Sequence, residues 1–161
     1  MKLNLKFKNI NSVLDKQPEI NVQWSGQSLY TGPVSENMLI EADCDESEFD
    51  LKIYFTNKEM SDTITDANNN IVQDLNFELE NFIIDDIDLE HLKWQSAYHY
   101  GDNESIDGCL FFGPAGFWQF NAYMPILKWK LDKNHQLLNN DPNWEEDYNY
   151  YKQAVWTLKN L

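Results

Sequence analysis

From residue 49 to residue 56 every second side chain is apolar: Phe49, Leu51, Ile53 and Phe55 alternate with Asp50, Lys52, Tyr54 and Thr56. Successive side chains of an extended chain point to opposite faces, so this pattern makes a strand buried on one face and solvated on the other. Such strands belong to antiparallel sheets. The same period recurs in Leu3, Leu5 and Phe7, in Ile20, Val22 and Trp24, and in Met38, Ile40 and Ala42. Leu75, Phe77 and Leu79 keep it until Asn81-Phe82 slips the phase before Ile84, as a β-bulge or a sheet-switching corner would. Leu110 to Phe112 and Phe117 to Tyr123 read as strands joined by the turn Gly113-Pro114-Ala115-Gly116. Leu127, Trp129 and Leu131, set against Lys128 and Lys130, read as a last strand. Strands alternating with amphipathic helices are missing, so the expected fold is mainly β: an antiparallel, jelly-roll-like β-sandwich over residues 1–134.

A C-terminal helix is expected after a polar hinge at His135 to Asn140, the two together spanning residues 135–161. Asp141 suits the N-cap and Pro142 the first helical position; Glu145, Glu146 and Asp147 suit the positive end of the dipole. Trp144, Tyr148, Tyr151 and Val155, continued by Leu158, form a stripe at helical spacing. That stripe either packs on the sandwich or docks on a partner, and partner docking or self-association is the expectation adopted.

With 42% hydrophobic and 14% aromatic residues, 161 residues suffice for the core of one domain. The formal charge is -15 and all 12 basic residues are lysines, the wrong balance for binding nucleic acid or an anionic membrane. Between Glu41 and Leu110 lie 19 acidic residues and only 3 lysines, which predicts a strongly electronegative surface unless cations neutralise it. No apolar run approaches the roughly 20 residues that span a bilayer, and no signal peptide is visible, so a cytoplasmic location is expected for a chain outside a virion. Cys44 and Cys109 have no metal-ligand spacing and read as reduced thiols.

No nucleophile elbow, phosphate loop or zinc-ligand spacing occurs, so a non-enzymatic module is expected. Oxygen-rich stretches are the candidates for a cation. Asp62, Asp66 and Asp74 surround Asn68 and Asn70 in a loop, and Asp86 and Asp88 alternate toward Glu90. These are the donor types of Ca²⁺, but an EF-hand is excluded because Ile71 and Phe77 stand where glycine and glutamate are needed. A hairpin turn and solvated carboxylates account for the same residues. Trp94, Tyr98 and Tyr100 fall in a stretch read as an irregular loop, where aromatics at the rim of a sandwich stack on sugar rings or anchor an interface.

The run Gly26 to Gly32, the Phe49 to Phe55 strand, Asn57-Lys58 with Asp62-Thr63 and Gln73-Asp74, Ile84 to Asp88, and Pro125 to Trp129 resemble a group of small β-sandwich structural proteins of tailed marine phages. Those proteins are similar to calcium-dependent carbohydrate-binding modules. The resemblance covers residues 1–131. It implies a virion component, such as a capsid decoration, tail or fibre protein, with virion proteins or a surface glycan as partners and calcium as a candidate ligand. The competing expectations are an acidic inhibitor that imitates nucleic acid and an acidic glycosidase.

Overall fold

A computed structural model describes residues 1–43 and 47–140. In chain order the strands are β1 (Lys2–Asn11), β2 (Glu19–Trp24), β3 (Gln27–Pro33), β4 (Asn37–Glu41), β5 (Glu48–Phe55), β6 (Thr63–Thr65) and β7 (Ile71–Asp74). There follow β8 (Asn76–Ile84), β9 (Ile87–Asp88), β10 (Ala97–Tyr100), β11 (Glu104–Asp107), β12 (Phe111–Phe112), β13 (Gly116–Tyr123) and the helix α1 (Ile126–Asn140). Short 3₁₀ turns occupy Met60–Asp62 and Glu90–Gln95. One sheet has the order β12-β8-β1-β4, with β9 paired to the end of β8; the other runs β11-β10-β13-β5-β2-β3. The hairpin β6-β7 stands apart, and every pairing of these strands is antiparallel.

The chain is thus the antiparallel sandwich that its alternation predicts. Phe49, Leu51, Ile53 and Phe55 of β5 are buried, in register with Trp118 and Phe120 on one side and with Ile20 and Val22 on the other. Leu3, Leu5, Phe7, Phe77, Leu79 and Phe82 supply the opposite layer. Rings lock the layers edge to face: Phe82 lies 5.1 Å from Trp118 and 4.9 Å from Phe120, and Phe77 lies 5.0 Å from Phe55. The phase slip is a bulge. Lys6 opposes Asn81 while Phe7 opposes Leu79, so Glu80 is the extra residue that lets both Leu79 and Phe82 point inward.

Solvent-side charges of the acidic stretch meet lysines from elsewhere in the chain. Lys6 pairs with Glu80 at 2.7 Å, Lys8 with Glu78 at 3.5 Å and Lys2 with Asp86 at 3.0 Å. The lysine-bearing β1 lies beside the acidic β8, so part of the expected electronegative surface is neutralised within the sheet.

Two local readings are corrected. The strand expected at Leu127, Trp129 and Leu131 is helical, because Ile126 and Trp129, three apart, are the inward pair at 2% exposure each. Leu127 and Leu131 are 50% and 59% exposed, whereas a strand would have buried all three together. The hinge expected from residue 135 is the second half of the same helix, which crosses the expected boundary at 134/135. The expected turn from Gly113 joins β12 to β13; because β12 pairs with β8 and β13 with β5 and β10, it carries the chain from one sheet to the other. The helix expected to carry Trp144, Tyr148, Tyr151 and Val155, like Cys44, lies outside the described residues. Among the described residues no helix is long and apolar enough to cross a membrane.

Candidate functional site

The aromatic stretch expected as a loop is a 3₁₀ turn followed by β10. Trp94 is 55% exposed, with the Lys93 ammonium 5.6 Å from its ring centre. Tyr98 is a core residue, not a rim residue. The inward phase of β10 falls on Tyr98 and Tyr100, and Tyr98 packs 5.1 Å from Phe112 while its hydroxyl donates to the Pro114 carbonyl at 2.6 Å. Burial, with a smaller effect of Cys109, drives its phenol far above the usual range. Tyr100 is half-buried and bonded to Glu104, which raises its phenol as well. His99 takes the outward phase and stacks on Phe117 at 4.7 Å. The expected trio therefore offers one exposed platform, Trp94.

The acidic candidates do not converge. The Asp66 carboxylate accepts from the Asn70 side chain at 3.0 Å and from the backbone N–H groups of Asn70 and Asn68 at 2.9 and 2.8 Å, closing the β6-β7 turn on itself. These bonds hold its carboxyl low. Asp62 is buried, which opposes ionisation, but Lys16 at 2.7 Å and the Glu59 N–H outweigh burial and lower its pKa. Asp86 faces Lys2, and Asp88 accepts from Asn81 at 2.9 Å and from the Glu90 N–H at 2.8 Å. Among the described residues no three His, Cys, Asp or Glu side chains gather as metal ligands. The carboxylates are already used by lysines, amides and turn N–H groups, so these residues do not fit the calcium that the resemblance implies.

A cleft of 720 Å³ does form at the end of the sandwich where β5 stops and β8 and β13 begin. Lys58, Thr63 and Asp74 make its polar floor; Met60, Ile71, Phe111 and Pro114 stand around it. Met60, Ile71 and Phe111 are 97%, 64% and 43% exposed. Phe111 is exposed because it adjoins Phe112 in β12, and neighbours in a strand face opposite ways. A Cβ at Gly113 would come within 2.5 Å of the Phe111 ring, so glycine lets the ring fold over the turn.

The floor is a closed network. Lys58 Nζ donates to the Asp74 carboxylate, to Thr63 Oγ1 at 3.2 Å and to the Leu75 carbonyl at 3.0 Å. The Thr63 hydroxyl donates to Asp74 at 2.6 Å, and Asn76 donates to its other oxygen at 2.9 Å. Burial would raise the Asp74 pKa, but Asn76, Lys58 and Thr63 together bring it below the usual value. The volume lies within the roughly 300–1,000 Å³ of small-molecule sites, and apolar walls over a few convergent polar groups are their usual lining. A groove of 870 Å³ between α1 and β9 is larger; Ile87, Leu127, Leu131 and Leu138 make it chiefly apolar, and its polar side is Lys130, which donates to the Asp88 carbonyl at 2.7 Å and pairs with Glu90 at 3.3 Å, with no Phe, Tyr or Trp among the described residues that line it.

No protein-family model matches the chain, and no curated protein matches it. A solved structure described as vCBM60 in complex with galactobiose matches with a TM-score of 0.50 and 13% identity, over 75% of this chain and 99% of that one. At this identity the likeness is one of fold: the chain has a β-sandwich like that of a carbohydrate-binding module.

Proposed function

We propose that the chain is a non-catalytic saccharide-binding module whose site is the cleft between the β6-β7 hairpin and the turn after β12. The observation that carries this reading is the exposed Phe111 ring beside the fixed Asp74–Lys58–Thr63 network. An aromatic face takes the C–H face of a sugar ring, and the remaining lone pairs of the Asp74 carboxylate and the Thr63 hydroxyl accept hydrogen bonds from its hydroxyls. Because the network is held before the ligand arrives, little rotamer freedom is lost on binding. A single platform and a few hydrogen bonds give about -4 to -6 kcal/mol, corresponding to dissociation constants from about millimolar to tens of micromolar. The fold shared with a carbohydrate-binding module supports the same reading.

Binding without turnover is supported by the carboxyl environment of the cleft. Asp74, the carboxylate of the cleft floor, is bonded to Lys58, Thr63 and Asn76 and shifted toward ionisation, whereas a general acid must be kept protonated. Placement of the module in a phage virion, where it would meet surface glycans or other virion proteins, is supported by the sequence resemblance, and mass spectrometry of purified particles tests it. Calorimetric titration with a panel of oligosaccharides tests the binding. Phe111→Ala is expected to abolish binding with little change in the melting midpoint; unchanged binding by that variant contradicts the proposal.

A further inference from the structure

The expected calcium ligands are dispersed, yet one point at this end of the sandwich does gather oxygens. Around Lys58 Nζ stand a carboxylate oxygen of Asp74, the Thr63 hydroxyl at 3.2 Å and the Leu75 carbonyl at 3.0 Å. Carboxylate, hydroxyl and backbone carbonyl are the donors a hard cation takes, but calcium takes six to eight of them at about 2.3–2.6 Å. Three oxygens at hydrogen-bond distance suit the three N–H bonds of an ammonium instead. The Lys58 side chain is only 6% exposed and that of Asp74 17%, so the pair is shielded from solvent. The lysine is delivered by its neighbour: Asn57 accepts from the Glu19 N–H at 2.9 Å and donates to the Gln17 carbonyl at 2.8 Å, fixing the chain as it leaves β5. Next to it Lys16 meets Asp62 at 2.7 Å, and the Leu75 N–H donates to the Asp62 carbonyl at 3.1 Å, joining the two ion pairs through one segment of backbone.

We propose that Lys58 is a tethered substitute for a divalent cation: its ammonium holds the base of the β6-β7 hairpin to the start of β8, so neither this end of the fold nor ligand binding in the cleft depends on calcium. A tethered charge is present at every calcium concentration, whereas a bound ion stabilises only by mass action. The binding clause rests on the saccharide reading above; the folding clause does not.

The test uses the full chain in thermal unfolding, with EDTA and with millimolar calcium chloride. The wild type is expected to melt at the same midpoint in both. Lys58→Ala is expected to melt lower and to recover part of that loss in calcium, because the space left by the side chain admits a cation together with the waters that complete its shell beside the three oxygens. Lys58→Met, which loses the charge but keeps the bulk, is expected to melt lower with no recovery. A rise of the wild-type midpoint in calcium overturns the proposal, as does a Lys58→Ala midpoint equal to wild type or a calcium response no greater than that of Lys58→Met. Should Lys58→Ala not fold in EDTA, the wild-type and Lys58→Met melts and the yield of Lys58→Ala refolded in calcium decide by the same rule. Saccharide titration in EDTA separates the two readings. Binding that requires calcium overturns this inference and leaves the saccharide reading intact; normal melts with no saccharide bound do the reverse.

Discussion

Replacing Trp129 and Leu131 one at a time distinguishes a helix from a strand over residues 126 to 131. Trp129 is 2% exposed and meets the Phe120 ring edge-on at 5.1 Å, so Trp129→Ala removes a large buried aromatic, a change that costs about 3–5 kcal/mol. At about 2–4 °C per kcal/mol for a chain of this size, the midpoint should fall by about 6–20 °C. Leu131 is 59% exposed, and Leu131→Gln should stay within about 0.5 kcal/mol, as surface substitutions do. A strand would put both side chains on one buried face and make the two losses similar. Urea unfolding followed by tryptophan fluorescence and by circular dichroism measures both. A Leu131→Gln loss as large as that of Trp129→Ala would refute the assignment of α1 and its packing on β13.

Asp85 and Asp86 link β8 to β9 with φ of 48° and 63°, the left-handed pair that two-residue hairpins reserve for Asn-Gly. Asp86→Gly should therefore raise stability by a few tenths to about 1 kcal/mol, and a lower midpoint contradicts this. Asp62 and Asp74 have folded-state pKa values below their ordinary 3.8, so their contribution is complete above that value and is lost as pH falls through the folded values. Urea midpoints should drop as pH falls below about 4, and Asp74→Asn should flatten that acid limb; an unchanged limb would count against the network. Tyr98→Phe leaves the Pro114 carbonyl without its donor and should cost about 0.5–1.5 kcal/mol in denaturant titration, while a neutral result would remove that hydrogen bond from the account.

What could be read from the sequence was whatever depends on neighbours along the chain. The alternation of β5 fixes which side chains are inward, and the broken phase at Asn81-Phe82 locates the bulge at Glu80 within two residues. Five residues at Leu127, Trp129 and Leu131 are too few to separate period two from a helix, and the burial of Ile126 and Trp129 against β13 decided it. Tyr98 lies in the core and not at the rim because the inward phase of β10 is set by pairing with Trp118 and Phe117 of β13, remote in the chain. The acidic runs were visible as charge, but their partners Lys2, Lys6, Lys8 and Lys16 reach them through sheet order. Phe111 could have been found: two adjacent phenylalanines in one strand cannot both face the core. Nothing local marks Lys58 as a buried lysine, since its oxygens come from three separate positions, Thr63, Asp74 and Leu75.

Backbone amide chemical shifts of the isotopically labelled full chain, followed while oligosaccharides of a panel are added, test the central claim most directly. Binding in the cleft predicts saturable shifts concentrated at Thr63, Asp74, Phe111 and Ala115, and their disappearance in Phe111→Ala. Saturable shifts centred instead on the outward face around His99 and Phe117, or on the groove beside α1, would contradict the assignment of the site. No shifts with any saccharide of the panel would contradict the saccharide-binding reading itself.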